Sequence, residues 1–486
     1  MKLQIILTLG LAFPVFISAA DSQRDSRPNI IVIMADDLGY SDLGCYGNKE
    51  IPTPHIDSLA QQGMRFTSGY VTWPMCGPSR AGFLTGRHQS KFGYYQNVSQ
   101  PFDARQGLPK MATIASLMKK QGYATAGVGK WHMGTTNDQR PESMGFDDWF
   151  GFYGGGLMYF PLDHPSYNGR FTPLKRPAKG RDLQHTMPLV HNAKLVEWDQ
   201  YLTRELTDAG VRFVRKNKDQ PFFLFMSYNA PHLDLEAPKE SIAKFPPESM
   251  SKMPGIKPEN RSIYAAMIYE MDEGVGQLLS TVEELGLTKN TVVWFLSDNG
   301  GLSRVTDNRP LRGGKGNPYE GGYRVPMIVK WPGQVPSNSV REEPIISLDI
   351  TATSLAMSGG DPAQAGFDGK DIRAFITGQS NKAPNDVLFW NFGKSAKMEA
   401  GAIREGDFKL IIGKGRPQLY NLKEDLSETK DIASSHPERV TAMLDRWKKW
   451  DKDRKPDLWK GKGKGNYQYA DYEWLKGTQH YRAKSK

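Results

Sequence analysis

The stretch NIIVIMADDLG, residues 29–39, decides how this chain folds. Residues 29–34 read as a continuous apolar run with no polar alternation, the pattern of a strand covered on both faces, as in parallel sheets. The run ends at Asp36-Asp37, so the carboxyl end of the expected strand presents two carboxylates.

Short runs of the same kind recur at 124–128, 222–228, 292–297 and 327–329, separated by helix-like stretches at 113–121 and 263–285. This alternation predicts an α/β domain with a mixed, mostly parallel sheet between helices. Ligands of such sheets bind beyond the carboxyl ends of the strands. Asp36-Asp37, Lys130 to His132, His232 and Asp298-Asn299 all stand at such ends, so four strands are expected to deliver chemistry to one edge. Gly/Pro-rich segments at 151–188 and 239–260 suit substrate-binding walls. From about residue 385 strand-like runs at 387–390, 400–404, 408–412 and 418–420 precede a helical pattern at 437–450. That predicts a small C-terminal antiparallel sheet subdomain with a packed helix.

At the amino end, Lys2, the apolar run 3–17 and the small residues Ser18, Ala19 and Ala20 read as a secretory signal peptide, with an uncleaved anchor as the alternative. The expected organisation is a signal peptide at 1–20, a catalytic domain at 21–375, and a C-terminal subdomain with a basic tail at 376–486. The mature protein is expected to be secreted or periplasmic, with no stable membrane insertion after cleavage. Only Cys45 and Cys76 occur, so no disulfide framework holds the fold, although a single bridge between them stays open. Of the formal charge of +10, residues 448–486 carry +7. Such a tail suits an acidic polysaccharide or simply a solvated face, and no nucleic-acid motif accompanies it, so no nucleic-acid partner is expected.

Asp36, Asp37, Asp298 and Asn299 are hard oxygen donors, which suit calcium or magnesium better than a softer metal. Each pair alone suits a turn or a helix cap equally well.

Around Cys76 the sequence is MCGPSRAGFLTGRH, residues 75–88. Cys76, Pro78, Ser79, Arg80, Ala81, Leu84, Thr85 and Gly86 match C-x-P-S-R-A-x-x-L-T-G, and the segment resembles the signature of the type I, formylglycine-dependent sulfatases. DDLG at 36–39, GKWHMG at 129–134, NAPH at 229–232, SDNGG at 297–301 and GGK with EGGYRVP between 313 and 326 match the family in order. REGDFKL and QLYNL, between 404 and 422, resemble its C-terminal subdomain.

The resemblance implies an alkaline-phosphatase-like large domain and oxidation of Cys76 to 3-oxoalanine (Cα-formylglycine) by a sulfatase-maturation enzyme. It implies one Ca2+ ion held by Asp36, Asp37, Asp298, Asn299 and the modified Cys76. It also implies that Arg80 holds the hydrated aldehyde and that Lys130 and Lys315 clamp sulfate oxygens. His232 is then the candidate acid for the leaving oxygen, and His132 the candidate base for release. A geminal diol can shed sulfate by collapsing to an aldehyde, so water need not attack a congested sulfur a second time.

The expected substrate is a sulfated oligo- or polysaccharide, since the spacing around SDNGG and Cys76 resembles the branch acting on sulfated galactose or N-acetylgalactosamine. Candidate substrate contacts are His164, Arg170, Arg304, Asn308 and Arg309, with Tyr153, Tyr159, Asp163, His185 and His191 behind them; surface loop chemistry explains each equally well. The competing readings are a phosphatase or phosphonate hydrolase of the same superfamily, which generally places Ser or Thr on the metal, and a glycan-binding protein in which Cys76 stays unmodified.

Overall fold

The computed structural model describes residues 27–98, 106–161, 164–166, 188–393 and 400–458. The expected signal peptide, Asp163, Arg170, His185 and residues 459–486 of the basic tail lie outside the described residues.

The Asn29–Ala35 strand is buried at every position and runs parallel between Phe222–Ser227 and Thr291–Ser297. A central strand covered on both faces has no solvent side to fill, hence its unbroken apolar run. The ten-stranded sheet runs in the order Ser339–Arg341, Met64–Phe66, Met327–Lys330, Thr291–Ser297, Asn29–Ala35, Phe222–Ser227, Ala124–Lys130, Asp148–Phe152, Val190–His191, Lys194–Leu195. Met327–Lys330 is antiparallel to both its neighbours, which makes the sheet mixed. Leu202–Lys216 and Pro258–Glu284 pack together as one helical group, and Cys76–Thr85, Ile114–Lys120 and Ser347–Met357 as another.

The long helix begins at Pro258, five residues before the periodic pattern starts, because proline fits the first helical turn, where a missing N–H costs nothing. Residues 151–160 differ from the expected wall: Gly151 and Phe152 complete the Asp148–Phe152 strand, and the following residues to Phe160 are buried. Within 239–260, Lys239–Ile242 forms a short helix before the long one begins.

Toward the carboxyl end, Val387–Asn391, Gly401–Glu405, Phe408–Ile412 and Gln418–Asn421 form a four-stranded antiparallel sheet. Helix Pro437–Asp451 packs on it through Met443 and Trp447. Buried polar groups tie this layer to the large one. Lys409 Nζ donates to Glu320 Oε1 at 2.9 Å and pairs with Glu428 Oε1 at 2.9 Å, while Tyr70 Oη donates to Glu320 Oε2 at 2.6 Å. Among the described residues no helix is long and apolar enough to cross a membrane.

Candidate active site

The Asn29–Ala35 strand delivers Asp36 and Asp37 directly, and Thr291–Ser297 delivers Asp298 and Asn299. The two ends are locked together: Asp298 N donates to Ala35 O at 3.0 Å, and Asp37 N donates to Asp298 Oδ1 at 3.2 Å. Asp37 has φ of 60°, a left-handed conformation that costs a non-glycine residue free energy and turns its carboxylate away from the line of the strand.

Cys76 is the first residue of helix Cys76–Thr85, which is buried along its whole length. Its Sγ lies 3.4 Å from Asp36 Oδ1, 3.9 Å from Asp37 Oδ1 and 3.2 Å from Lys315 Nζ. Both Cys76 and Cys45 are free thiols, so the open possibility of a bridge between them is not realised. Burial, followed by the charge of Asp36, pushes the Cys76 thiol far up, so an unmodified Cys76 is neutral and a poor nucleophile.

Arg80 sits one turn further along the same helix and is fully buried. Its Nε donates to Asp298 Oδ2 at 2.8 Å, and its Nη1 donates to Ser227 Oγ at 2.5 Å and to Lys130 O at 3.2 Å. Lys130, the last residue of its strand, donates from Nζ to Asp36 Oδ2 at 2.5 Å, and Lys315 donates to Asp37 Oδ2 at 2.7 Å. Three carboxylates thus face three cations in a space closed to water. Burial pushes Asp36 up, but Lys130, His232, Arg80 and Lys315 together hold it well below the usual carboxylate range. Asp298 is pushed up to about 7, by burial first and then by the neighbouring Asp36.

His232 Nε2 lies 3.6 Å from Asp37 Oδ2, and its Nδ1 is 2.5 Å from Leu233 O. A carbonyl only accepts, so Nδ1 carries a proton and Nε2 is the nitrogen that exchanges a proton with a ligand. Burial first, against the pull of Asp36, lowers His232 to about 4. His132 has φ of 64°, is 4% exposed, and neither ring nitrogen has a hydrogen-bond partner among the described residues. Burial, then Lys130 and Arg80, keep it neutral, with a free lone pair suited to a base. Its ring lies on Gly155, where a Cβ would stand 2.6 Å from Nε2.

The residues fit a hard divalent cation. Asp36, Asp37, Cys76 and His232 offer ligand atoms within 4.8 Å of one another. Asn299 donates from Nδ2 to Asp37 Oδ1 at 2.7 Å and to Gly300 O at 2.9 Å, which leaves its buried Oδ1 with no partner. An orphaned amide oxygen beside three carboxylates matches the donor set of calcium or magnesium.

The remaining candidates are scattered. Asn308 is buried and its amide is committed to the turn, accepting from Gly301 N at 3.1 Å and donating to Gly301 O at 2.9 Å. Arg309 is exposed and paired with Asp307 at 2.7 Å, and Arg304 is exposed. His164 stacks on Phe160 with ring centroids 4.7 Å apart. Tyr153 donates to Glu142 Oε1 at 2.6 Å, and His191 pairs with Asp148 at 2.7 Å. Tyr159 supports the site, its hydroxyl donating to Asn229 O at 2.7 Å and to His232 O at 2.9 Å.

Two supporting residues escaped the sequence reading. Ser227 braces Arg80 and donates to Lys130 O at 2.7 Å; its position at the end of a buried strand was the available signal. Asn97 Oδ1 accepts from Gly77 N at 2.8 Å beside Cys76, and nothing in the sequence separates that role from an ordinary loop asparagine.

A cysteine set among three carboxylates, three cations and two histidines at the carboxyl edge of such a sheet defines a hydrolase of anionic esters with the alkaline-phosphatase-like fold. The sulfatase family profile matches residues 28–360, and the profile described as N-sulphoglucosamine sulphohydrolase, C-terminal, matches 315–453. The chain belongs to the sulfatase family and is a sulfuric ester hydrolase. It is 33% identical to arylsulfatase A of Homo sapiens over 457 residues, covering 86% of each chain. It is 32% identical to steryl-sulfatase of Mus musculus over 435 residues, covering 74% of this chain and 67% of that one. The crystal structure of Ps i-CgsB in complex with k-i-k-neocarrahexaose matches with a TM-score of 0.80 and 36% identity, covering 93% of this chain and 97% of that chain.

Proposed function

We propose that this sulfatase removes sulfate from a sulfated carbohydrate, with galactose or N-acetylgalactosamine as the sugar, through a formylglycine made from Cys76. The observation that carries the reading is the placement of Cys76 Sγ, 3.2 Å from Lys315 Nζ and 3.4 Å from Asp36 Oδ1, on a helix whose sequence bears the modification signature. The saccharide is supported by the 36% identical structure holding a neocarrahexaose.

When Cys76 has been oxidised by a maturation enzyme, the hydrated aldehyde supplies the nucleophilic oxygen. Asp36, Asp37, Asp298 and Asn299 would hold a single calcium ion, which supplies Lewis acidity at that oxygen. Arg80 fixes Asp298 and the floor of the site through Ser227. With the carboxylate charge shared by a dication, Lys130 and Lys315 hold sulfate oxygens and stabilise the charge that shifts onto them during transfer. His232 Nε2 gives its proton to the leaving oxygen, and His132 takes one to allow sulfate release. The signal peptide at 1–20 is read as export to the periplasm or the medium, ahead of a catalytic domain at 21–375 and a C-terminal subdomain at 376–486.

The test is the mass of the Cys76 peptide from protein made with a maturation enzyme, together with sulfate release from sulfated galactans, glycosaminoglycans, aryl sulfates and steroid sulfates. Loss of about 18 Da at Cys76 with release abolished in Cys76→Ser is expected for this nucleophile. Release by unmodified protein would overturn the mechanism, and activity confined to steroid sulfates would overturn the saccharide.

A further inference from the structure

The far end of the sheet holds a second polar cavity. Thr291 and Val293 belong to the strand that ends at Ser297, so the cavity lies at that strand's amino end, about 20 Å from Asp298 at ~3.3 Å per residue. Helix Pro54–Gln61 and helix Pro258–Glu284 form its walls, and Lys330 ends the antiparallel strand on its floor. Its volume is about 190 Å³. That is far above the ~10–15 Å³ one water needs, and below the ~300 Å³ at which drug-sized pockets begin, so the space suits a small ligand.

Two polar groups in its lining are unspent. Lys330 is 8% exposed and forms no ion pair or hydrogen bond among the described residues. Thr288 Oγ1 is buried and likewise has no partner there. Burying an ammonium group without a counter-charge is costly, so a lysine kept here is stabilised by whatever anion enters. Glu283 and Ser280 at the rim are exposed, and Glu283 is the only carboxylate lining the cavity. Ser58 already donates its hydroxyl proton to His55 O at 2.7 Å. Gln62 adds a side-chain amide, and its N–H groups are donors. Asp272 does not compete for Lys330: its two oxygens accept from His55 N at 3.1 Å and Ile56 N at 2.7 Å at the start of the first wall helix.

We propose that this cavity is a second binding site, separate from the catalytic centre, for a small anion with hydrogen-bond-accepting oxygens, held by Lys330 and Thr288. A tetrahedral oxyanion and a short carboxylate share that chemistry. Equilibrium dialysis of the full-length protein against labelled inorganic sulfate, and separately against labelled acetate, distinguishes them and counts sites. One bound anion per chain is expected to be lost in Lys330→Met and weakened in Thr288→Val, with hydrolysis of an aryl sulfate unchanged in both. Stoichiometry and affinity for both anions that are the same in wild type and the two variants would overturn the proposal. Thr288→Val removes one exposed-loop hydroxyl, so it remains a test if Lys330→Met fails to fold.

Discussion

Lys409 Nζ and Glu320 Oε1 form a fully buried ion pair at 2.9 Å that joins the C-terminal sheet to the loop following Lys315. Burial alone would raise Glu320, but Lys409, Arg324 and Arg404 outweigh it and hold the carboxyl down at about 2. The pair therefore remains ionised throughout the neutral range. Removing one member of such a pair leaves a buried charge without its partner. Lys409→Met is expected to cost about 3–5 kcal/mol of stability by urea denaturation, with part of it recovered in Lys409→Met/Glu320→Gln. A loss below about 1 kcal/mol would mean that the two layers are held by apolar packing alone.

His232→Gln tests the acid. Sulfate esters of sugars leave as poor alkoxides, whereas activated aryl sulfates leave without help. The variant is expected to lose about 10²–10⁴-fold in kcat on a sulfated sugar and far less on 4-nitrophenyl sulfate. Equal losses on both substrates would show that His232 positions the sulfate and does not protonate the leaving group.

Removing the metal tests the oxygen cage. A bound ion stabilises only the folded chain, by about 2.7 kcal/mol at a hundred times its Kd. Dialysis against EGTA is expected to lower Tm and stop sulfate release, and added calcium to restore both. Asn299→Ala, which removes the orphaned Oδ1, is expected to need more calcium for the same recovery. Unchanged Tm and activity after chelation would count against a calcium centre.

His88 predicts how stability follows pH. It is buried, its ring packs edge-on against Trp450 of the C-terminal helix at 5.0 Å, and burial lowers it from 6.5 to about 4. The unfolded chain takes up this proton below about 6.5 and the folded chain only near 4, so stability is full above that window and falls as pH drops through it. The ceiling is about 3 kcal/mol. His88→Phe is expected to flatten urea midpoints measured between pH 7.5 and 4.5; an unaltered slope would place the titration elsewhere.

The sequence by itself determined the strand ends. The run at 29–35 and the carboxylates after it are neighbours along the chain, and a buried central strand permits no other composition. Cys76 to Gly86 is likewise one helix, with Arg80 one turn from Cys76, so its spacing already implied a shared site. What only the tertiary structure decided is which polar groups are already spent on one another. Asn308 and Arg309 looked free to meet a substrate, yet one is bonded to Gly301 and the other to Asp307. Ser227, Asn299 Oδ1 and Lys330 carried no such signal, yet the first braces Arg80 and the other two are left without partners in buried places. Hydrogen-bond satisfaction is settled between segments hundreds of residues apart, and a linear pattern, which records periodicity and local chemistry, does not contain it.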